Sequence, residues 1–324
     1  MPYRVLITDY IWPTLDPERE VLGAVGAEIV EAPDGDEETL SRLAADCDAI
    51  ITCFAKVTPK VIAACSRCRI ISRYGIGLDN IAVDFATSRG IPVTNVPSYC
   101  VDEVSDHTLA LLLACARKIT RWSSLVHGGT WDSRVHMPLR RLRLQTLGIV
   151  GFGKIGRLVA AKAKPFGFRV LVHDRYVPAE TIAGAGCVPA DLTTVFAESD
   201  YVCLHAPLTP ETENLVNADT LRLMKPGAYV VNTSRGGLVD VDALYDALVA
   251  GRLAGAALDV MPEEPPPADH PILKLDSVIL TPHVAFYSEE SLVELQTTAA
   301  SAVATVLSGG TPPNIVNAKS LTRA

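Results

Sequence analysis

TLGIVGFGKIGRLVAAKAKPFGFRVLVHD, residues 146–174, decides the fold. Its opening run, 147–150, is apolar and has the length of a buried strand, and it passes at once into Gly151, Gly153 and Gly156 at G-x-G-x-x-G spacing. Ile155, Leu158, Val159 and Phe166 fit one face of a helix that Gly167 is placed to end, and residues 169–172 read as a second strand closing at Asp174.

Strand, glycine turn, helix, strand and acid in that order predict a dinucleotide site. Gly151 allows the tight turn out of the strand, Gly153 lets backbone approach a pyrophosphate, and Gly156 permits close packing of helix on sheet. The N–H groups at the helix start, with Phe152, Lys154 and Ile155 beside the glycines, face the anion. Asp174 is placed to accept hydrogen bonds from the adenosine ribose, and its charge repels a 2′-phosphate, which points to NAD as cofactor. Arg175 next to it could receive such a phosphate, so strictness toward NADP stays open.

The chain has 324 residues, enough for two domains, and 48% hydrophobic content with no charge-rich tail, as in an ordered globular protein. Its net charge is −8 with Lys and Arg dispersed, a poor electrostatic footprint for nucleic acid or an anionic membrane, so neither is expected as a partner. The start MPYRVLITDY resembles no targeting peptide, and no apolar run is long enough to span a bilayer. The eight cysteines sit mostly among apolar neighbours and read as reduced thiols of a cytoplasmic protein. Cys65 and Cys68 have C-x-x-C spacing, but no second pair or His cluster follows, so no metal is expected.

Ahead of the glycine motif, strands are expected at 4–8, 28–32, 49–53, 70–73 and 91–96, with helices at 17–25, 37–45 and 59–65 between them. That alternation predicts a parallel sheet with helices on both faces, whose ligands lie beyond the carboxyl ends of the strands. Pro97 ends this sheet, and residues 101–118 form an apolar helix leading into a second domain. Residues 122–143 carry two tryptophans, clustered arginines and Gly and Pro punctuation, and are expected to form an extended arm that makes a dimer contact. Strands at 201–204, 229–232, 255–259 and 278–280, with helices at 192–197, 217–223 and 241–250, complete a six-strand sheet. A helix at 288–307 returns to the first domain, where PPNIVN makes a closing edge segment. The fold expected is α/β, two doubly wound parallel-sheet domains, with a Rossmann-type cofactor domain at 101–286 inserted in a flavodoxin-like substrate domain made of 1–100 and 287–324.

Three strand ends in the second domain carry reactive side chains. In VVNTSRGGLVD, Arg235 follows a strand and is held by Gly236 and Gly237, where its planar fork can grip a carboxylate. In ALDVMPEEPP, Asp259 ends a strand and Glu264 precedes a stiffening proline run. In LTPHVAFYSEE, His283 is the side chain able to exchange a proton near neutral pH, and a carboxylate partner would orient its ring.

These motifs, with SRYGIGLDNIAV, GIPVTNVPSYCVDEVSDHTLALLLA, HAPLTPETENLVN and MKPGAYVVNTSRGGLVD, resemble the D-isomer-specific 2-hydroxyacid dehydrogenase family over nearly the whole chain. The wording of RYGIGLDN and TPHVAFYSEE is similar to the C-terminal binding protein branch, with Phe286 where that branch usually has tryptophan. The resemblance implies reduction of a 2-oxo acid to a D-2-hydroxy acid. His283 would protonate the carbonyl oxygen, Glu264 would hold His283 protonated, and Arg235 would anchor the substrate. It also implies substrate contacts from Arg73, Tyr74, Gly75, Ile76 and Phe286, and cofactor contacts from Thr108, His205, Ala206, Pro207, Thr212, Thr233, Ser234, Arg235, Asp259 and His283. Ile76 is apolar where some relatives have a hydroxyl. The similar branch implies an alternative, a dimeric scaffold or corepressor-like protein binding NAD as a ligand with weak dehydrogenase activity. The intact trio favours the enzyme, and Glu264 beside His283 argues against formate as substrate. The identity of the hydroxy acid and any assembly beyond a homodimer stay open.

Overall fold

A computed structural model of the chain describes residues 2–135 and 137–321. Two compact units emerge, 1–99 with 288–324, and 100–287. In the first, five parallel strands, β1 (Tyr3–Ile7), β2 (Ala27–Glu31), β3 (Ala49–Thr52), β4 (Ile70–Arg73) and β5 (Val93–Thr94), are ordered β2-β1-β3-β4-β5. β3 and β4 are buried along their whole length, because helices cover both faces of a parallel sheet. The helix Asp16–Gly23 and the long helix Glu289–Leu307 pack together, and Leu40, Val61, Ile62, Ile71 and Val93 belong to a core cluster of this unit. Near the end of the chain, Ile315 bridges Thr94 in antiparallel sense, the closing edge segment that PPNIVN implied.

The second unit has seven parallel strands, one more than the sequence led us to expect. They are β6 (Thr146–Val150), β7 (Arg169–His173), β8 (Val188–Pro189), β9 (Tyr201–Leu204), β10 (Tyr229–Asn232), β11 (Gly255–Leu258) and β12 (Val278–Leu280), ordered β12-β11-β10-β9-β6-β7-β8. The extra strand, β8, is two exposed residues ending in proline, a form compatible only with a sheet edge and too short to leave an alternating pattern. Two apolar clusters cover the faces, one around Val150, Phe196, Val230 and Leu244, the other around Leu112, Ile149, Val159 and Val231. Burying each such side chain contributes about 1.5–3 kcal/mol, so the sheet is fixed from both sides.

The segment 122–143 is not extended from its start. Residues Ile119–His127 form a helix with no buried residue, and only beyond it is the chain irregular. Gly128 and Gly129 close that helix, and the helical period of Ile119, Trp122 and Val126 was hidden among arginine, serine and glycine. Trp131 beyond it is 90% exposed.

Candidate active site

At the head of the helix Lys154–Ala163, Gly151 has φ 97°, and a Cβ there would stand 2.5 Å from Ala206 N, so only glycine fits. A Cβ on Gly156 would lie 2.1 Å from the Gly151 carbonyl oxygen, which requires glycine for the helix to close on the turn. Around Gly153 nothing lies within 4 Å of such an atom, and as N-cap it supplies no side-chain cap to the helix N–H groups. An open cradle at an uncapped helix start suits the pyrophosphate of a dinucleotide.

Phe152 is used differently from its neighbours. Its ring is fully buried, its N–H donates to Asp174 Oδ2 at 2.6 Å, and its carbonyl accepts from Arg157 Nε at 2.9 Å. Asp174 Oδ1 accepts from Tyr176 N and Val177 N at 2.8 and 3.1 Å. Asp174 therefore builds the loop it stands in, while Arg175 lies exposed next to the Tyr176 ring. Several other residues expected at the cofactor knit strand ends together. Thr108 Oγ1 is fully buried and 2.7 Å from Thr233 Oγ1, Ser234 Oγ donates to the Ala206 carbonyl at 2.7 Å, and Thr212 Oγ1 donates to the Pro207 carbonyl at 2.7 Å. His205 follows β9 with its Nε2 shut off from solvent and unpartnered among the described residues, and burial pushes its pKa down to about 4. It is the His205 backbone that meets the Gly151 turn, its carbonyl carbon 2.5 Å from where a Cβ on Gly151 would stand.

The trio lies on loops after β10, β11 and β12 of this unit. His283 Nδ1 is 2.7 Å from Glu264 Oε2, and Glu264 Oε1 accepts from Met261 N at 2.9 Å. Burial alone would raise the Glu264 carboxyl, but the His283 hydrogen bond and charge, the Met261 N–H and the Arg235 charge outweigh it and hold its pKa below the usual value. Arg235 NH1 donates to the Ser234 carbonyl at 2.7 Å, which fixes one side of its fork. Phe286 is buried, its ring edge-on to the His283 imidazole at 6.2 Å.

The remaining expected substrate residues belong to the first unit. Arg73 Nε donates to Asn80 Oδ1 at 3.0 Å, and its NH1 to the Tyr74 carbonyl. Tyr74 is 1% exposed, and its hydroxyl donates to Glu18 Oε1 at 2.8 Å, which commits the side chain to the core of this unit. Gly75 has φ 147° and lies against the Arg73 guanidinium, and Ile76 is half-buried, its carbonyl taking the Asn95 amide.

A glycine cradle for a dinucleotide, with a carboxylate-oriented histidine and an arginine at neighbouring strand ends, defines a nicotinamide-dependent oxidoreductase. A model of the NAD-binding domain of D-isomer-specific 2-hydroxyacid dehydrogenases matches residues 109–285, and the chain belongs to that family. It is 42% identical over 294 residues to a glyoxylate reductase of Korarchaeum cryptofilum, with 89% of this chain and 87% of that protein covered. It is 37% identical over 316 residues to the D-3-phosphoglycerate dehydrogenase of Methanocaldococcus jannaschii, covering 97% of this chain but only 59% of that longer protein. The crystal structure of Aquifex aeolicus D-lactate dehydrogenase with NAD and lactic acid superposes with a TM-score of 0.85 at 30% identity, covering 94% of this chain and 96% of that one. The chain is accordingly an NAD-dependent D-2-hydroxyacid dehydrogenase by family, with a nicotinamide cofactor.

Among the described residues no helix is long and apolar enough to cross a membrane. Nothing in the pattern of residues around it marks His107 as a neighbour of the loop that carries His283. It sits one residue before Thr108 in an apolar helix, and only the fold brings it to the loop after β12.

Proposed function

We propose that the protein reduces a small 2-oxo acid to the D-2-hydroxy acid, and runs the reverse reaction, with Arg235, Glu264 and His283 as its reacting side chains. The observation that carries this reading is the 2.7 Å contact between His283 Nδ1 and Glu264 Oε2. With Nδ1 held against the carboxylate, the other ring nitrogen, Nε2, is assigned the proton transfer to the carbonyl oxygen. The bound nicotinamide supplies the hydride. The Arg235 guanidinium, its fork steadied by the Ser234 carbonyl, binds the substrate carboxylate and orients the carbonyl toward His283. Gly151, Gly153 and Gly156 receive the pyrophosphate, and Asp174 favours NAD over NADP by charge.

Two further assignments belong to this reading. The exposed Ile119, Trp131, Met137 and Leu144 form the contact of a homodimer, supported by exposures of 56%, 90%, 64% and 79%. A cytoplasmic location is supported by eight free cysteines.

The test is oxidation of NADH by the purified protein with glyoxylate, hydroxypyruvate and phenylpyruvate, repeated with NADPH. Turnover on one class establishes the reaction and its substrate range. Tight NADH binding without turnover on any 2-oxo acid overturns the reading and moves the weight to a scaffold that uses the dinucleotide as a ligand.

A further inference from the structure

We infer that His107 is a positioning residue for the turn that carries His283, an inference that rests on the proposed acid–base role of His283. Asp259 is 1% exposed and its carboxylate can only accept hydrogen bonds. Thr281 Oγ1 gives its single proton to Asp259 Oδ1 at 2.5 Å. The 3.0 Å contact between Thr281 Oγ1 and His107 Nε2 therefore has the imidazole as donor, so the hydrogen of His107 is on Nε2. The same nitrogen is 3.5 Å from Asp259 Oδ1.

What Asp259 does with its remaining capacity gives the cluster its purpose. Its Oδ1 also accepts from Val284 N at 3.0 Å, and its Oδ2 from Ala285 N at 2.9 Å. Its backbone carbonyl takes the His283 N–H at 2.7 Å, and the Thr281 carbonyl lies 3.0 Å from that same N–H. His283 sits between these anchors with φ 53°, a left-handed conformation that a non-glycine residue keeps only when its surroundings impose it. The carboxylate imposes it, and the donors from Thr281 and His107 hold the carboxylate in place. His107 and Thr108 are adjacent on the helix Val101–Arg117, so one turn of helix ties down the ends of β11 and β12 through His107, and that of β10 through Thr108 bonded to Thr233. Asp259, expected in the sequence at the cofactor, is thus committed through both carboxylate oxygens to the His283 turn.

The experiment compares His107→Leu, which keeps bulk and loses the donor, with His107→Gln, whose amide restores an N–H of similar reach. Amide hydrogen exchange at Val284 and Ala285 is read first, in protein without substrate. Exchange about tenfold faster in His107→Leu, and close to wild type in His107→Gln, is expected from loss and recovery of one hydrogen bond in the chain of donors. In turnover assays kcat of His107→Leu falls by about tenfold to a hundredfold, while KM and NADH affinity stay within about twofold and His107→Gln recovers most of the rate. Should His107→Leu not fold, Thr281→Val set against Thr281→Ser makes the same comparison. Unchanged exchange at both amides overturns the inference, as does a loss of kcat that the Gln variant leaves unrepaired. If exchange responds as stated while even the wild type reduces no 2-oxo acid, the positioning role stands and the proposed reaction falls.

Discussion

A Cβ placed on Gly236 would stand 1.9 Å from the carbonyl carbon of Met261, closer than any two unbonded carbons approach. The turn that presents Arg235 and the loop that presents Glu264 are thus packed backbone against backbone, with no side chain between them. Met261 completes the link by donating its N–H to Glu264 Oε1 at 2.9 Å. Arg235 and Glu264 are therefore set by one contact, and moving either loop moves the other.

Gly236→Ala is expected to force these two loops apart. Relief requires a backbone shift, since the atoms met are carbonyl and proline backbone atoms with no rotamer to change. The cost is about 1–3 kcal/mol of stability, as for other overpacked sites. The rate falls further than stability suggests, by about a hundredfold in kcat/KM, because a displacement of about 1 Å at a reacting group is enough for that. Urea unfolding and turnover measured together check it, and a variant with normal kcat/KM would show that the contact does not set the trio.

Removing the imidazole separates chemistry from binding. His283→Ala is expected to lower kcat by about a hundredfold to ten-thousandfold, the range for loss of a positioned general acid, with NADH affinity within about twofold of wild type. Fluorescence titration with NADH alongside turnover reads both quantities. Wild-type turnover in the variant would remove His283 from the mechanism.

Asp174→Ala is expected to have two separable effects. The loss of negative charge weakens NADH binding and narrows the preference over NADPH, since a 2′-phosphate is no longer repelled. Three backbone N–H groups, of Phe152, Tyr176 and Val177, also lose their acceptor, which costs about 1–3 kcal/mol. Dissociation constants for both cofactors and the unfolding midpoint distinguish the two. A destabilised protein whose NADH to NADPH ratio is unchanged would assign Asp174 to the loop alone.

Much of this site was legible because its chemistry is local in sequence. Glycines at 151, 153 and 156 follow a strand and open a helix within a few residues, and Arg235, Glu264 and His283 each stand just past a short apolar run. Illegible were the features that depend on contacts distant in the chain. His107 meets Thr281 across 174 residues, and in its own neighbourhood it is one polar side chain on an apolar helix. Tyr74 was expected among the substrate contacts beside Arg73, and period-2 alternation says only which face its side chain takes; it could not show that Glu18, 56 residues away, receives its hydroxyl in the core. Strand β8 was missed for a different reason, since two residues leave no period to count. The end of the glycine-loop helix was visible at Gly167, but not the tightening at Lys164–Phe166, where Pro165 removes an N–H and the last turn becomes a 3-10 turn.

Acid stability should report His205. Its folded-state pKa is pushed down to about 4 by burial, against an ordinary value of 6.5, so the unfolded chain takes up a proton that the folded protein refuses. Between those two values the unfolded state binds more protons, and stability must rise with pH. The contribution is therefore complete above about pH 6.5, declines as pH falls toward about 4, and changes no further below that. Its ceiling is about 3 kcal/mol at 1.36 kcal/mol per pKa unit. His205→Leu removes the titrating group and the unpartnered Nε2 together while keeping most of the volume. Urea unfolding at several values between pH 4 and 7 should then give a shallower decline for the variant than for the wild type, with the difference confined to that window. Parallel declines would mean that the ring reaches solvent or a proton acceptor in the folded protein, and that its burial in the loop after β9 is not what shuts the proton out.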